Sequence, residues 1–265
     1  MVDARFAVLA LAVGLIATPS PRPAAIPMAP PPAAAAVGSP LICFPIDIGD
    51  AASLPFGRDG FAVKTAMKPD EIAATVRTVL GRSGDVTVHM ETLRRAAIWL
   101  MSMESQGSGP ADPQHLNAVK IQLLLTEELL AAASADDDAK RGDAGQARHE
   151  ALRWFDLGYF LAAGGQARVC EAGASLAYLE KAARLVPDDR ALRFGVALGE
   201  FNDRGDASSK SWAAHLARLF ENPATPDAAV PAALRKNVLS TFGAFLGQDD
   251  WDKLGAEVRK HVGRT

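Results

Sequence analysis

The chain has 265 residues, 49% of them hydrophobic, enough to bury a core of one or two domains. The formal net charge is −3, the pI lies near 6.0 and no long Lys/Arg run occurs, which excludes the basic face that a nucleic-acid backbone requires. Tyr (2) and Trp (4) are scarce while Ala and Leu abound, and good helix formers without many β-branched or aromatic residues favour helices over sheets.

In chain order, Phe6 to Ala17 (FAVLALAVGLIA) is an apolar run behind a short head containing Arg5. It is shorter than the ~20 residues that span a bilayer and fits the core of a secretory signal peptide over residues 1–25. The alternative is an uncleaved anchor, the only route by which this chain is expected to touch a membrane. Either reading places the body of the chain outside the cytoplasm, in the periplasm or the extracellular space. The Pro/Ala-rich stretch Thr18 to Pro40 follows, its prolines fixing φ and removing donors, so residues 26–40 are expected as an extended linker.

Residues 41–68 carry Pro45, Gly49, Pro55, Gly57 and Gly60, which forbid a long helix. Ile42, Phe44, Ile46 and Ile48 alternate with other residues, the pattern of a short extended segment packed on something else. This stretch is expected as an ordered arm. Two cysteines occur, Cys43 and Cys170. In an exported chain they admit one intramolecular disulfide, Cys43–Cys170, closing a loop of more than a hundred residues and contributing about 4–5 kcal/mol by chain entropy. The alternative is two separate thiols. Pro40-Leu41-Ile42 lacks the small residue expected before a lipid-bearing cysteine.

Residues 69–265 punctuate into helices. Pro69-Asp70-Glu71 is a good first turn with Gly81 as a stop, and Asp85 caps a helix reaching about Glu104. Asp112-Pro113 opens an apolar helix through Leu130. The acidic stretch Asp136 to Gly145 reads as a loop, followed by a helix from about Ala147 to Ala163 that ends at Gly164-Gly165. Further helices are expected over Arg190–Phe201, Ser208–Glu221, Ala228–Leu246 and Asp249–His261.

Trp154, Leu157, Gly158 and Leu161 are spaced as in the first helix of a tetratricopeptide repeat, and Leu179, Ala182 and Pro187 occupy the apolar, Ala and Pro places of the second. This stretch resembles that family specifically over about 154–189 and weakly elsewhere. About five extra residues around Gln166 to Gly173 separate the two halves, and Ser175 stands where the family has Ala. The 36-residue step from Pro187 to Pro223 compares with a family period of 34. The arm in turn resembles the front end of exported bacterial proteins. The resemblance implies an all-α fold of antiparallel helix pairs stacked as a short solenoid. It also implies a concave groove lined by Leu152, Phe155, Tyr159 and Ala162, with Ala191, Phe194, Leu198 and Phe201 from the next unit. That groove has three readings: a site for a protein or peptide partner, ordinary core, or a cradle filled by Leu41 to Phe56.

No motif for chemistry is complete. His89, His115, His149, His215 and His261 are scattered singly, whereas zinc needs converging ligands. His149-Glu150 starts a zincin motif, but Arg153 stands where the second histidine belongs. Asp136-Asp137-Asp138 and Asp143 fail the calcium-loop pattern, because Lys140 and Arg141 occupy the fifth and sixth positions. No nucleophile elbow, phosphate loop or dinucleotide fingerprint occurs, and Ser102 or Ser105 with His89 or Glu104 makes no nucleophile arrangement. No metal, cofactor or catalytic residue is expected. The expected role is an exported, non-catalytic scaffold or adaptor that binds a protein partner. Its rival is an exported helical enzyme or small-ligand binder with a dispersed site.

Overall fold

The computed structural model describes residues 40–56, 67–106, 109–135, 144–165, 173–204, 210–221 and 230–263, and every regular element in them is helical. The apolar run at Phe6, the linker before Pro40, the acidic stretch 136–143 and Cys170 lie outside the described residues. Among the described residues no helix is long and apolar enough to cross a membrane.

Short capping residues and prolines start the helices where the sequence predicts. A single turn, α1 (Pro40–Cys43), precedes α2 (Pro69–Arg82), where Glu71 accepts from the Lys68 N–H at 3.0 Å. Asp85 accepts from the Thr87 N–H at 2.8 Å to open α3 (Val86–Gln106), and Asp112 does the same for Gln114 at 2.8 Å to open α4 (Pro113–Ser134). Each such cap satisfies an N–H that the helix itself leaves without an acceptor. Helix α5 (Ala144–Phe160) widens into a π turn, Leu161–Gly165. Then follow α6 (Ala174–Leu185), α7 (Arg190–Arg204), capped by Asp189, and α8 (Lys210–Ala217). Helix α9 (Ala232–Val238) continues through a π turn (Leu239–Gly243) and a last turn (Ala244–Leu246) until Gly247, at φ 66°, stops it. Helix α10 (Trp251–Gly263) ends the order.

The protein is all-α, with sequence neighbours packed antiparallel: α3 on α4, α5 on α6, α7 on α8. Gly158 makes the α5–α6 approach possible. A Cβ there would lie 2.9 Å from the Leu179 backbone nitrogen, its Cγ and the Ser175 carbonyl. Helix α3 also reaches α7 directly, and a Cβ at Gly195 would fall 2.5 Å from the Phe155 ring and 3.2 Å from Met90 Sδ. Three alternate helices thus converge on one core, closer than in an array whose units touch only their neighbours.

The segment from Leu41 to Phe56 is built into that core. Its first residues form the turn α1 rather than the extended strand that the alternation suggested, because Pro40 supplies a helical φ at the start. Leu41, Ile42, Ile46 and Leu54 are buried, and α1 packs on α3, α7 and the π turn after α5. The backbone of the arm is satisfied by side chains of the helices. Ile46 N–H donates to Glu91, Arg94 to the Ile42 carbonyl, Arg95 to the Leu54 carbonyl and Trp99 to the Pro55 carbonyl. At its other face Asp47 N–H donates to Asn237 Oδ1 at 2.8 Å, and Asn237 Nδ2 returns a bond to the Asp47 carbonyl at 3.0 Å. Phe44 meets Phe245 edge-on at 5.4 Å. Cys43 is a free, exposed thiol, so no disulfide pins the arm among the described residues.

Candidate functional site

The residues assigned by resemblance to a groove lie in the core. Leu152, Phe155, Tyr159, Ala162, Phe194 and Leu198 are buried, while Ala191 and Phe201 are half-buried and packed on the same cluster. Phe155 lies 5.2 Å from Tyr159, and Phe201 packs on Trp212, Phe242 and Phe245 at 5.3–5.7 Å. The structure brings these residues together, with the arm's first turn seated on α7 beside them.

The histidines fall into different situations. His89 is buried on α3, with Nδ1 2.7 Å from Asp156 Oδ1 on α5 and Nε2 2.9 Å from the Ser83 carbonyl. A carbonyl only accepts, so Nε2 carries a proton, and the remaining proton is held between Nδ1 and the carboxylate. Burial alone would lower the His89 pKa, but the charge and hydrogen bond of Asp156 and the Ser83 carbonyl outweigh it and raise it above the ordinary value. Burial raises Asp156, against the pull of His89. With both ring nitrogens engaged, His89 is not placed to take a proton from a substrate; it ties the end of α2 to α3 and α5.

This pair borders an apolar cavity of about 210 Å³ lined by Leu80, Leu125, Leu129 and Leu152, with His149 and Arg153 at its polar side. Arg153 Nη1 donates to the Ala132 carbonyl at 3.1 Å.

A second cleft, of about 450 Å³, opens between α6, α7 and α8. Its floor holds Glu200, which is 0% exposed and whose two carboxylate oxygens make no hydrogen bond. The nearest cation-forming group is His215, with Nε2 3.5 Å from Glu200 Oε1, a Coulombic contact without hydrogen-bond geometry. Arg193 Nη1 stands 2.6 Å from His215 Nδ1. A guanidinium only donates, so Nδ1 accepts and the ring's own N–H is on Nε2, turned to Glu200. Arg193 also donates to the Pro187 carbonyl, which fixes it at the rim beside the exposed Arg184–Glu180 pair. Burying an acceptor pair without donors costs about 1–3 kcal/mol, or more for a charged group.

Sequence reasoning missed Glu200. Its signal is an acid one turn beyond Val196 and Ala197, on the buried face of α7, where a solvated residue has no place. Among the described residues, His, Cys, Asp and Glu nowhere gather in threes suited to a metal ion.

Fold and cleft together define an all-α protein of antiparallel helix pairs in which, among the described residues, Glu200 is the buried carboxylate with hydrogen bonds to neither oxygen. No family model, curated protein or solved structure matches the chain.

Proposed function

We propose that the protein is a non-catalytic scaffold or adaptor, exported from the cytoplasm, that receives a basic side chain of a protein or peptide partner in the α6–α8 cleft. The observation that carries this reading is Glu200, a fully buried carboxylate with both oxygens lacking hydrogen bonds at the floor of an open cleft. An arginine or lysine entering there supplies the missing donors once the His215 ring swings aside, and charge-assisted bonds of this type contribute about 1.5–3 kcal/mol each. Most residues of the groove, which could equally be a partner site, core or a cradle for Leu41 to Phe56, are buried, and this favours partner contact at the α6–α8 cleft. The close approach at Gly158 and the stacking of Trp154 on Tyr178, at 5.5 Å, support a tetratricopeptide-like α5–α6 hairpin. The apolar run at Phe6 supports export.

The test is calorimetric titration of the purified chain with short arginine- and lysine-containing peptides, repeated on Glu200→Gln. Binding to the wild type that weakens tenfold or more in the variant is the expected result. Failure of both peptides to bind the wild type removes this reading. A second reading, a small-ligand binder, is favoured by the apolar cavity under His149 and Arg153. Native mass spectrometry of freshly purified protein, with metal analysis, tests it by looking for a retained small molecule or ion.

A further inference from the structure

We infer that the outer face of α4 pairs with the same face of a second copy of this chain, antiparallel and centred on Leu123. Leu116, Leu123 and Leu130 are 53%, 43% and 43% exposed, and they are the most exposed large apolar side chains among the described residues. They stand seven residues apart on one helix, so they fall in a single stripe, as the faces of paired helices do. Isolated exposed leucines are ordinary, but an aligned series along about 20 Å of one helix is an interaction surface.

The charges on this face choose the occupant. Lys120 and Glu127, both exposed, lie beside the stripe on either side of Leu123. At a rise of 1.5 Å per residue, Lys120 sits about 4.5 Å before Leu123 along the helix and Glu127 about 6 Å beyond it. A two-fold axis through the Leu123 contact therefore brings Lys120 of one copy level with Glu127 of the other to within about 1.5 Å, twice over. The same operation sets Leu116 against Leu130 and Leu123 against itself. A parallel pairing would set Lys120 and Glu127 of the two copies on opposite flanks of the seam, with no opposite charge facing either. The face is self-complementary in the antiparallel sense only, the property an isologous dimer requires. Lys120 currently reaches Asp70 at 3.1 Å, but both groups are more than half exposed, so this contact yields readily to an interfacial one.

Sedimentation equilibrium of the purified chain, from micromolar to several hundred micromolar, tests the proposal. The expected result is a reversible monomer–dimer equilibrium that Leu123→Glu abolishes. Lys120→Glu alone should weaken dimerisation at least tenfold by facing like charges, and Lys120→Glu combined with Glu127→Lys should restore it. Leu123 is exposed, so an unchanged thermal melt shows that Leu123→Glu remains folded. A wild-type monomer across the whole range, a dimer indifferent to Leu123→Glu, or a double swap that fails to rescue would each overturn it; the first leaves this face to a partner of different sequence.

Discussion

The guanidinium of Arg94 donates to the backbone carbonyl of Ile42 at 2.7 Å, while its Nε and Nη2 hold Glu91 at 2.8 and 3.0 Å. One side chain of α3 thereby carries both the arm and the acid that receives the arm's Ile46 N–H. Arg95 completes the cluster from the next position, at 2.7 Å from Glu91. An apolar arm would lose its backbone hydrogen bonds to water on docking, and this cluster replaces them inside the core.

Removing the Glu91 carboxylate should release the arm. Glu91→Gln removes the charge that compensates Arg94 and Arg95 and leaves a single acceptor oxygen for the Ile46 N–H and two guanidinium groups, and breaking a buried pair from one side costs about 3–5 kcal/mol. Urea unfolding should show that loss, and amide exchange at Ile46 should rise to the rate of an open segment. Retained protection at Ile46 would mean that the apolar contacts of Leu41, Ile42 and Leu54 hold the arm without the ion cluster.

Gly158→Ala should destabilise the α5–α6 pair. The new methyl carbon would sit 2.9 Å from backbone atoms of α6, which cannot turn aside as a side chain could. Helix propensity favours Ala by about 1 kcal/mol, whereas overpacking costs about 1–3 kcal/mol, so the net effect is a loss. A chemical denaturation midpoint lower than the wild type's checks it, and an unchanged midpoint would show that the helices can slide apart.

Much of this fold was legible locally. Pro69, Asp85, Asp112 and Pro113 mark helix starts, and Gly158 with Ala182 marks a close helix crossing, because caps and small-residue contacts act within a few residues of the chain. The long-range matches were not legible in that way. Glu91 serves Ile46, 45 positions earlier, and His89 finds Asp156 across 67 positions, and no local pattern specifies either partner. The groove shows the same limit. The resemblance to tetratricopeptide repeats implied that Phe155, Tyr159, Phe194 and Leu198 line one face, but whether such a face is open depends on what covers it, and here the arm and α3 lie against it. The alternation of Ile42, Phe44, Ile46 and Ile48 suggested an extended segment, while the structure starts the arm with a helical turn at Pro40.

The His89–Asp156 pair should make stability fall as pH rises. Both groups have folded-state pKa values above their ordinary ones, so the folded chain binds more protons than the unfolded chain. For His89 the contribution is fully present below its unfolded value near 6.5 and is lost as pH rises through the higher folded value. For Asp156, burial makes ionisation costlier in the fold, so its effect runs in the same direction from the carboxylate range upward. Thermal melts between pH 5 and 9 should show this slope in the wild type. Asp156→Asn should flatten it and cost about 3–5 kcal/mol below pH 6.5, where His89 would be a buried cation without a counter-charge. A variant with the wild-type slope would assign the pH dependence to other groups.

Glu200→Gln should separate binding from folding. A carboxylate buried without donors is a cost to the free protein, and an amide in its place carries no charge to desolvate while still facing the N–H of His215. The variant should melt at the wild-type temperature or above it, even though it loses affinity for basic peptides. A substitution that leaves the fold intact or firmer while weakening peptide binding would place the role of this carboxylate in binding, at some expense in stability. A Glu200→Gln protein that unfolds well below the wild type would instead make the carboxylate a structural partner of Arg193 and His215, and the cleft would lose its claim to bind anything.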